Sequence, residues 1–185
     1  MMKNVIAIVG MCGSGKSELT KLFTDFGYYC IYFGEITLNE IRQRSLSINE
    51  ENEKTVREDL RKKFGYNAYA KIVFSQIEKT NDFQNVVLDG LYSWSEYKFL
   101  DEKLGNSLIV LAVVSNKTIR QDRLANRSFR PLSSEEVNAR DAAEIENLEK
   151  GGPIACADYY IKNNSTYDSL YIEFQEFISW LNKRK

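Results

Sequence analysis

Gly10-Met11-Cys12-Gly13-Ser14-Gly15-Lys16-Ser17 satisfies the pattern G-x-x-x-x-G-K-[ST] at every specified position. The chemistry of that spacing is phosphate binding. Glycines let the backbone curl until successive N–H groups point at phosphate oxygens, and a helix that follows adds its partial positive charge. A lysine at position 16 then reaches β- and γ-phosphates, and the Ser17 hydroxyl is a ligand for Mg²⁺. Gly10 through Ser17 therefore reads as a site for a nucleoside triphosphate with Mg²⁺.

An acid opposite such a loop would complete the Mg²⁺ site. Val86-Val87-Leu88-Asp89-Gly90 is an apolar run ending in a carboxylate, so Asp89 is the candidate to hold Mg²⁺ with Ser17. Arg120, Arg123 and Arg127 are spaced to share one face of a helix, and Arg130 follows just before Pro131. Four guanidinium groups this close suit a clamp on phosphate oxygens, or else a solvated helix face. Beside a phosphate loop they read as part of a mobile lid. Glu35, placed at the end of a second strand, and Arg61 are candidates to touch an acceptor. Asn116-Lys117 has Ile119 where a guanine signature needs Asp, which excludes that reading.

The elements that must position these residues are legible as alternating patterns. Five short runs rich in Val, Ile, Leu and Tyr have strand character: 5–9, 28–33, 85–89, 107–114 and 158–162. Helical spacing separates them, as in Leu19, Leu22, Phe23 and Phe26 before Gly27, or Leu170, Phe174, Phe177, Ile178 and Leu181 near the C-terminus. Strands alternating with helices imply an α/β fold with a five-stranded parallel sheet covered on both faces, in three layers. Residues 1–185 form one domain, with a helical insertion at about 36–69 on the acceptor side and a lid at about 120–150. Both prolines, Pro131 and Pro153, mark loops.

Composition narrows the classes further. The 185 residues carry 25 Lys and Arg against 26 Asp and Glu, a net charge of −1, which disfavours a nucleic-acid partner. Three separated cysteines make neither a disulfide framework nor a zinc site and suit the cytoplasm. Cys12 reads as a variable loop position. No stretch has the length of a signal peptide or a membrane span. Histidine is absent, which excludes Ser–His and Cys–His machinery but leaves phosphoryl transfer unaffected.

Taken in order, these pieces resemble the small nucleoside-monophosphate-kinase group of P-loop NTPases. The likeness is strongest to the dephospho-CoA kinase-like branch and to a nucleotide-kinase-like family best known from archaea. Ile8–Glu18 resembles that family's opening, and Phe33-Gly34-Glu35 its G-D element with Glu for Asp. Arg61 with Gly65 and Ala68 is similar to its L-R-x-x-x-G-x-x-A stretch, and Val87–Gly90 to its D-G strand end. Arg123-Leu-x-x-Arg127 is similar to its lid helix, Arg140-Asp141 to its R-D pair, and Ala157-Asp158-Tyr159 with Asn163 to its A-D-Y-x-I-x-N close. The resemblance implies ATP at Gly10–Ser17 and Arg123 against adenine or phosphate. It also implies Arg127 and Arg130 on the transferring group, and an acceptor among Glu35, Arg61 and Asp89. Leu38 and Leu91-Tyr92 stand where such kinases often carry acceptor-site arginines.

Two readings follow. One is an ATP-dependent phosphotransferase acting on a nucleotide-like small molecule, either a nucleoside monophosphate or dephospho-CoA. The other is a nucleotide-binding regulator or slow NTPase acting on a protein partner.

Overall fold

The computed structural model describes residues 4–80, 85–128 and 131–184. The first strand, β1 (Asn4–Val9), is buried on both faces because its apolar residues alternate without a polar break. Val5, Ala7 and Val9 enter one core and Ile6 and Ile8 the other. In chain order α1 (Lys16–Asp25), β2 (Tyr29–Tyr32), α2 (Phe33–Gln43), α3 (Glu50–Phe64) and α4 (Ala68–Lys79) follow. Then come β3 (Asn85–Asp89), α5 (Trp94–Leu104), β4 (Leu108–Val114), α6 (Lys117–Ala125) and α7 (Ser134–Glu146). A short α8 (Gly151–Ala155), β5 (Tyr159–Lys162) and α9 (Tyr167–Lys183) complete the chain.

The sheet order is β2-β3-β1-β4-β5, and every pairing is parallel. The α/β class with a five-stranded parallel sheet is therefore the one the sequence predicts. All five strands fall within a residue or two of the expected runs. One face is closed by α1 and α9 through Leu19, Phe23, Phe174 and Phe177; the other buries Phe33, Ile41, Tyr69, Val73 and Leu100. Phe23 is sealed from solvent and meets Phe174 and Tyr28 edge-on at 4.9 and 5.0 Å between centroids. Truncating it to Ala would cost about 3–5 kcal/mol.

Three expectations need correction. Pro153 does not mark a loop: it lies buried in the short helix α8. Glu35 does not end β2: the strand stops at Tyr32, and Phe33 opens α2 directly, so Glu35 lies in that helix's first turn. Phe33 is fully buried, and sinking it into the core turns the chain into the helix. The arginine helix is also shorter than its pattern suggests. α6 closes at Asn126, whose side-chain amide donates to the Asp122 carbonyl, so Arg127 lies beyond it and off the shared face. Among the described residues no helix is long and apolar enough to cross a membrane.

Candidate functional site

The central strand β1 delivers the loop 10–15 to the carboxyl edge of the sheet, where open α/β sheets bind ligands. Gly15 caps α1 in the left-handed region, at φ 97°. A side chain there would run into the amide of Asn163, which is buried and donates through Nδ2 to the Ser14 carbonyl at 2.9 Å. Glycine is thus required twice, by conformation and by close approach. Met11, Cys12 and Gly13 complete the loop, with the Ser14 amide donating to the Met11 carbonyl at 3.2 Å. Lys16 Nζ folds back across the loop and donates to the carbonyls of Gly10 at 2.8 Å and Met11 at 3.1 Å. The Ser14 hydroxyl is buried with no hydrogen-bond partner. Such an orphaned donor, beside a lysine and a helix N-terminus, fits a polyphosphate.

Asp89 ends β3 in register with Ile8 on one side and Tyr32 on the other, which sets it against the start of α1. Burial raises its pKa, while Lys16 and the Thr20 hydroxyl beside it pull the other way. Lys16 is itself lowered to about 8, by burial first and then by the ammonium of Lys150; Glu144, Cys12 and Asp89 oppose the shift. Ser17, exposed at the first turn of α1, and Asp89 offer the hard oxygen donors that Mg²⁺ takes together with phosphate oxygens. The donor set fits that ion.

The predicted arginines separate into different roles. Arg123 Nη1 donates to the Asn163 carbonyl at 3.0 Å and to Ser115 Oγ at 3.2 Å, and Nη2 to Asn163 Oδ1 at 3.2 Å. It therefore stands at the β4–β5 flank of the loop, near Gly15. Arg120 faces inward: it is 6% exposed, pairs with Asp141 and donates to the Cys12 carbonyl at 3.0 Å. It is a tie between loop and α7 rather than an open clamp. Arg130 lies outside the described residues. Glu35 is half exposed and paired with Arg42 at 2.6 Å. Arg61 sits 5.4 Å over the ring of Tyr69, whose hydroxyl shares a 2.7 Å hydrogen bond with Thr37.

Several charged residues near the loop escaped sequence reasoning. Glu96 is completely buried; one oxygen, Oε2, accepts from the amides of Tyr92 and Ser93 at 2.9 and 3.0 Å. Its other oxygen has no partner. The Ser93-x-x-Glu96 capping box was available as a signal. Lys150, 1% exposed, reaches Glu144 at 2.7 Å and lies 5.2 Å above the Tyr92 ring. For Glu144 burial alone would raise the pKa, but Lys150, Lys16 and Arg140 more than offset it and hold it low. Lys150 gave no signal beyond its place before Gly151-Gly152, and Glu144 none.

Residues 9–138 match the AAA domain family. The chain is 30% identical over 180 residues to a UPF0200 protein of Methanosarcina mazei, covering 96% of this chain and 95% of the relative. Among solved structures it is similar to a dephospho-CoA kinase from Campylobacter jejuni, with TM-score 0.59, 21% identity and 98% of each chain covered. A shikimate kinase from Bacteroides thetaiotaomicron superposes with TM-score 0.62 at 12% identity, over 97% of this chain and 98% of that one. At those identities the two kinases speak for the fold alone. That fold is the P-loop kinase fold.

Proposed function

The chain belongs to the UPF0200 family and, over residues 9–138, to the AAA domain family, and from that premise we propose that it is an ATP-dependent phosphotransferase. It moves the γ-phosphoryl group of Mg·ATP to a small nucleotide-like acceptor, a nucleoside monophosphate or dephospho-CoA. The observation that carries this reading is the cradle around Lys16, with Asp89 facing it at the end of the neighbouring strand.

In this reading Lys16 leaves the carbonyls of Gly10 and Met11 and donates to the β- and γ-phosphates. The orphaned Ser14 hydroxyl gains a phosphate oxygen. Mg²⁺, held by Ser17 and Asp89, would offset charge on the phosphate oxygens. Arg123 steadies the nucleotide from the β5 side. With α6 and α7 anchored to the loop by Arg120 and Asp141, the lid movement is confined to the stretch between those helices, which brings Arg127 and Arg130 to the transferring group. The α2–α4 side, with Glu35 and Arg61, receives the acceptor. If the acceptor is a hydroxyl, a carboxylate takes its proton. Asp89 is the better placed, since Glu35 is exposed and engaged with Arg42. A phosphate acceptor needs no such base.

The test is incubation with Mg·ATP labelled at the γ-phosphate and a panel of nucleoside and deoxynucleoside monophosphates plus dephospho-CoA. A labelled acceptor supports the reading and names the substrate. Label released only as free phosphate across the panel supports a regulator or slow NTPase instead.

A further inference from the structure

Lys150 has no place in the roles above, yet it is the most deeply buried cation beside the phosphate loop. It comes from the turn between α7 and α8 and is 1% exposed. Its ammonium contacts Glu144 at 2.7 Å and the face of Tyr92 at 5.2 Å. Tyr92 follows Asp89 by three residues, and its ring lies so close over Gly90 that a Cβ there would come within 2.5 Å of the hydroxyl. Lys150 is therefore delivered to the end of β3, on the acceptor side of Lys16, while Arg123 flanks the loop from β5. Its proximity to Lys16 is felt electrostatically, second only to burial in lowering the Lys16 pKa.

A sealed ion pair needs a reason. Taking two charges out of water is costly, and an apolar pair of the same volume is often as stable. The pair here is also shared. Glu144 Oε2 meets the Lys150 ammonium at 2.7 Å, and Arg140 Nε lies 3.6 Å from Oε1 at the half-exposed edge of the cluster. Two buried cations, Lys16 and Lys150, thus share the field of one carboxylate beside the phosphate loop. Glu144 has the charge and the position of an anion that gives way to another.

We propose that Lys150 is a second phosphoryl-binding cation, and that Glu144 occupies in the empty protein the place the γ-phosphoryl group takes in the loaded one. Lys150 then grips the group in transit from the acceptor side, supplying the cation that the Leu91-Tyr92 segment lacks. Glu144 keeps Lys150 paired while the site is empty. The proposal rests on the phosphotransferase reading.

Equilibrium binding of Mg·ATP and Mg·ADP, measured by titration calorimetry, tests it without knowledge of the acceptor. In Lys150→Met the ATP dissociation constant should rise at least about tenfold, equivalent to about 1.4 kcal/mol, while that for ADP stays within about twofold. Glu144→Gln removes the competing anion and should shift the ATP-to-ADP preference the opposite way. Equal weakening of both nucleotides in Lys150→Met would make Lys150 a structural residue and overturn the proposal. If Lys150→Met does not fold, Glu144→Gln decides, and an unaltered ATP-to-ADP preference overturns it. A wild-type protein that binds ADP and ATP equally overturns the proposal alone; one that binds neither overturns the phosphotransferase reading with it.

Discussion

Arg120 and Asp141 meet through two parallel hydrogen bonds, Nη1 to Oδ1 at 2.9 Å and Nη2 to Oδ2 at 2.7 Å. The same Nη1 donates to the Cys12 carbonyl at 3.0 Å. One guanidinium thus joins three segments: the phosphate loop, α6 and α7. The fork matches carboxylate geometry, which a lysine would not reproduce. Because the pair is nearly sealed, the loop's shape and the docking of α7 are set together.

Breaking that pair should be expensive. Asp141→Ala leaves the Arg120 charge buried and unpaired, at a cost of about 3–5 kcal/mol. Arg120→Lys, which keeps the charge but loses the fork, should lose less stability and still loosen the loop. Urea unfolding midpoints compared with Mg·ATP affinities check this. An Asp141→Ala protein as stable as the wild type would show that solvent or another residue replaces the carboxylate.

Gly15→Ala should remove nucleotide binding while leaving most of the fold intact. The alanine must adopt φ 97°, and its methyl must also displace the Asn163 amide, which donates to the Ser14 carbonyl. Asn163→Ala separates the two effects. It relieves the clash and removes one of the two donors to the Ser14 carbonyl, leaving Ser115 Oγ at 3.2 Å, a loss of about 0.5–1.5 kcal/mol for the hydrogen bond. Far-UV circular dichroism and ATP titration of both variants, alone and combined, provide the check. Normal ATP affinity in Gly15→Ala would mean that the loop reshapes freely.

How much of this was legible depended on whether a residue's role is local. The phosphate loop, Asp89 at the end of β3 and the five strands are local patterns, and they stand where the sequence puts them. Glu35 was misplaced because burial of Phe33 begins a helix at once, overriding the strand-like run before it. Arg127 left the helix face because α6 ends at an Asn126 cap rather than where the arginine spacing stops. Glu96 carried a capping-box signal with Ser93 but no sign of its burial; Lys150 and Glu144 were invisible for a different reason. Each acquires meaning from a partner on another element, and a single sequence shows neither the pairing nor the burial.

Lys16→Met should separate function from stability. Lys16 gives up donors aimed at the phosphates, and removing one such preorganised group typically costs about 10²–10³ in rate. The fold, however, disfavours its charge, since burial and Lys150 lower its pKa to about 8. Replacing the ammonium with an apolar group should therefore raise stability at pH 7, on the order of 1 kcal/mol after allowance for its lost bonds to Gly10 and Met11. A melting temperature that rises as phosphoryl transfer disappears is the expected result. A lower melting temperature would show that the two carbonyl bonds outweigh the cost of burying the charge.

Glu96 should impose a pH dependence on stability. Burial is the main cause of its raised pKa, about 7 against an ordinary 4.5; Arg61, the amides of Tyr92 and Ser93, and Lys150 oppose it. The phenols of Tyr69 and Tyr92 also lie in its field and stay neutral in this range. Between those two pH values the folded chain holds a proton that the unfolded chain has released. The stability Glu96 contributes is thus full below about pH 4.5 and is lost as pH rises through 7. Glu96→Gln keeps a carbonyl oxygen to accept from the Ser93 amide but cannot ionise, so it lacks that slope. Unfolding free energies of the two proteins should agree near pH 4.5 and diverge by pH 8, with the glutamine protein ahead by on the order of 2 kcal/mol. Parallel curves across that range would mean that Arg61 and Lys150 hold Glu96 ionised throughout.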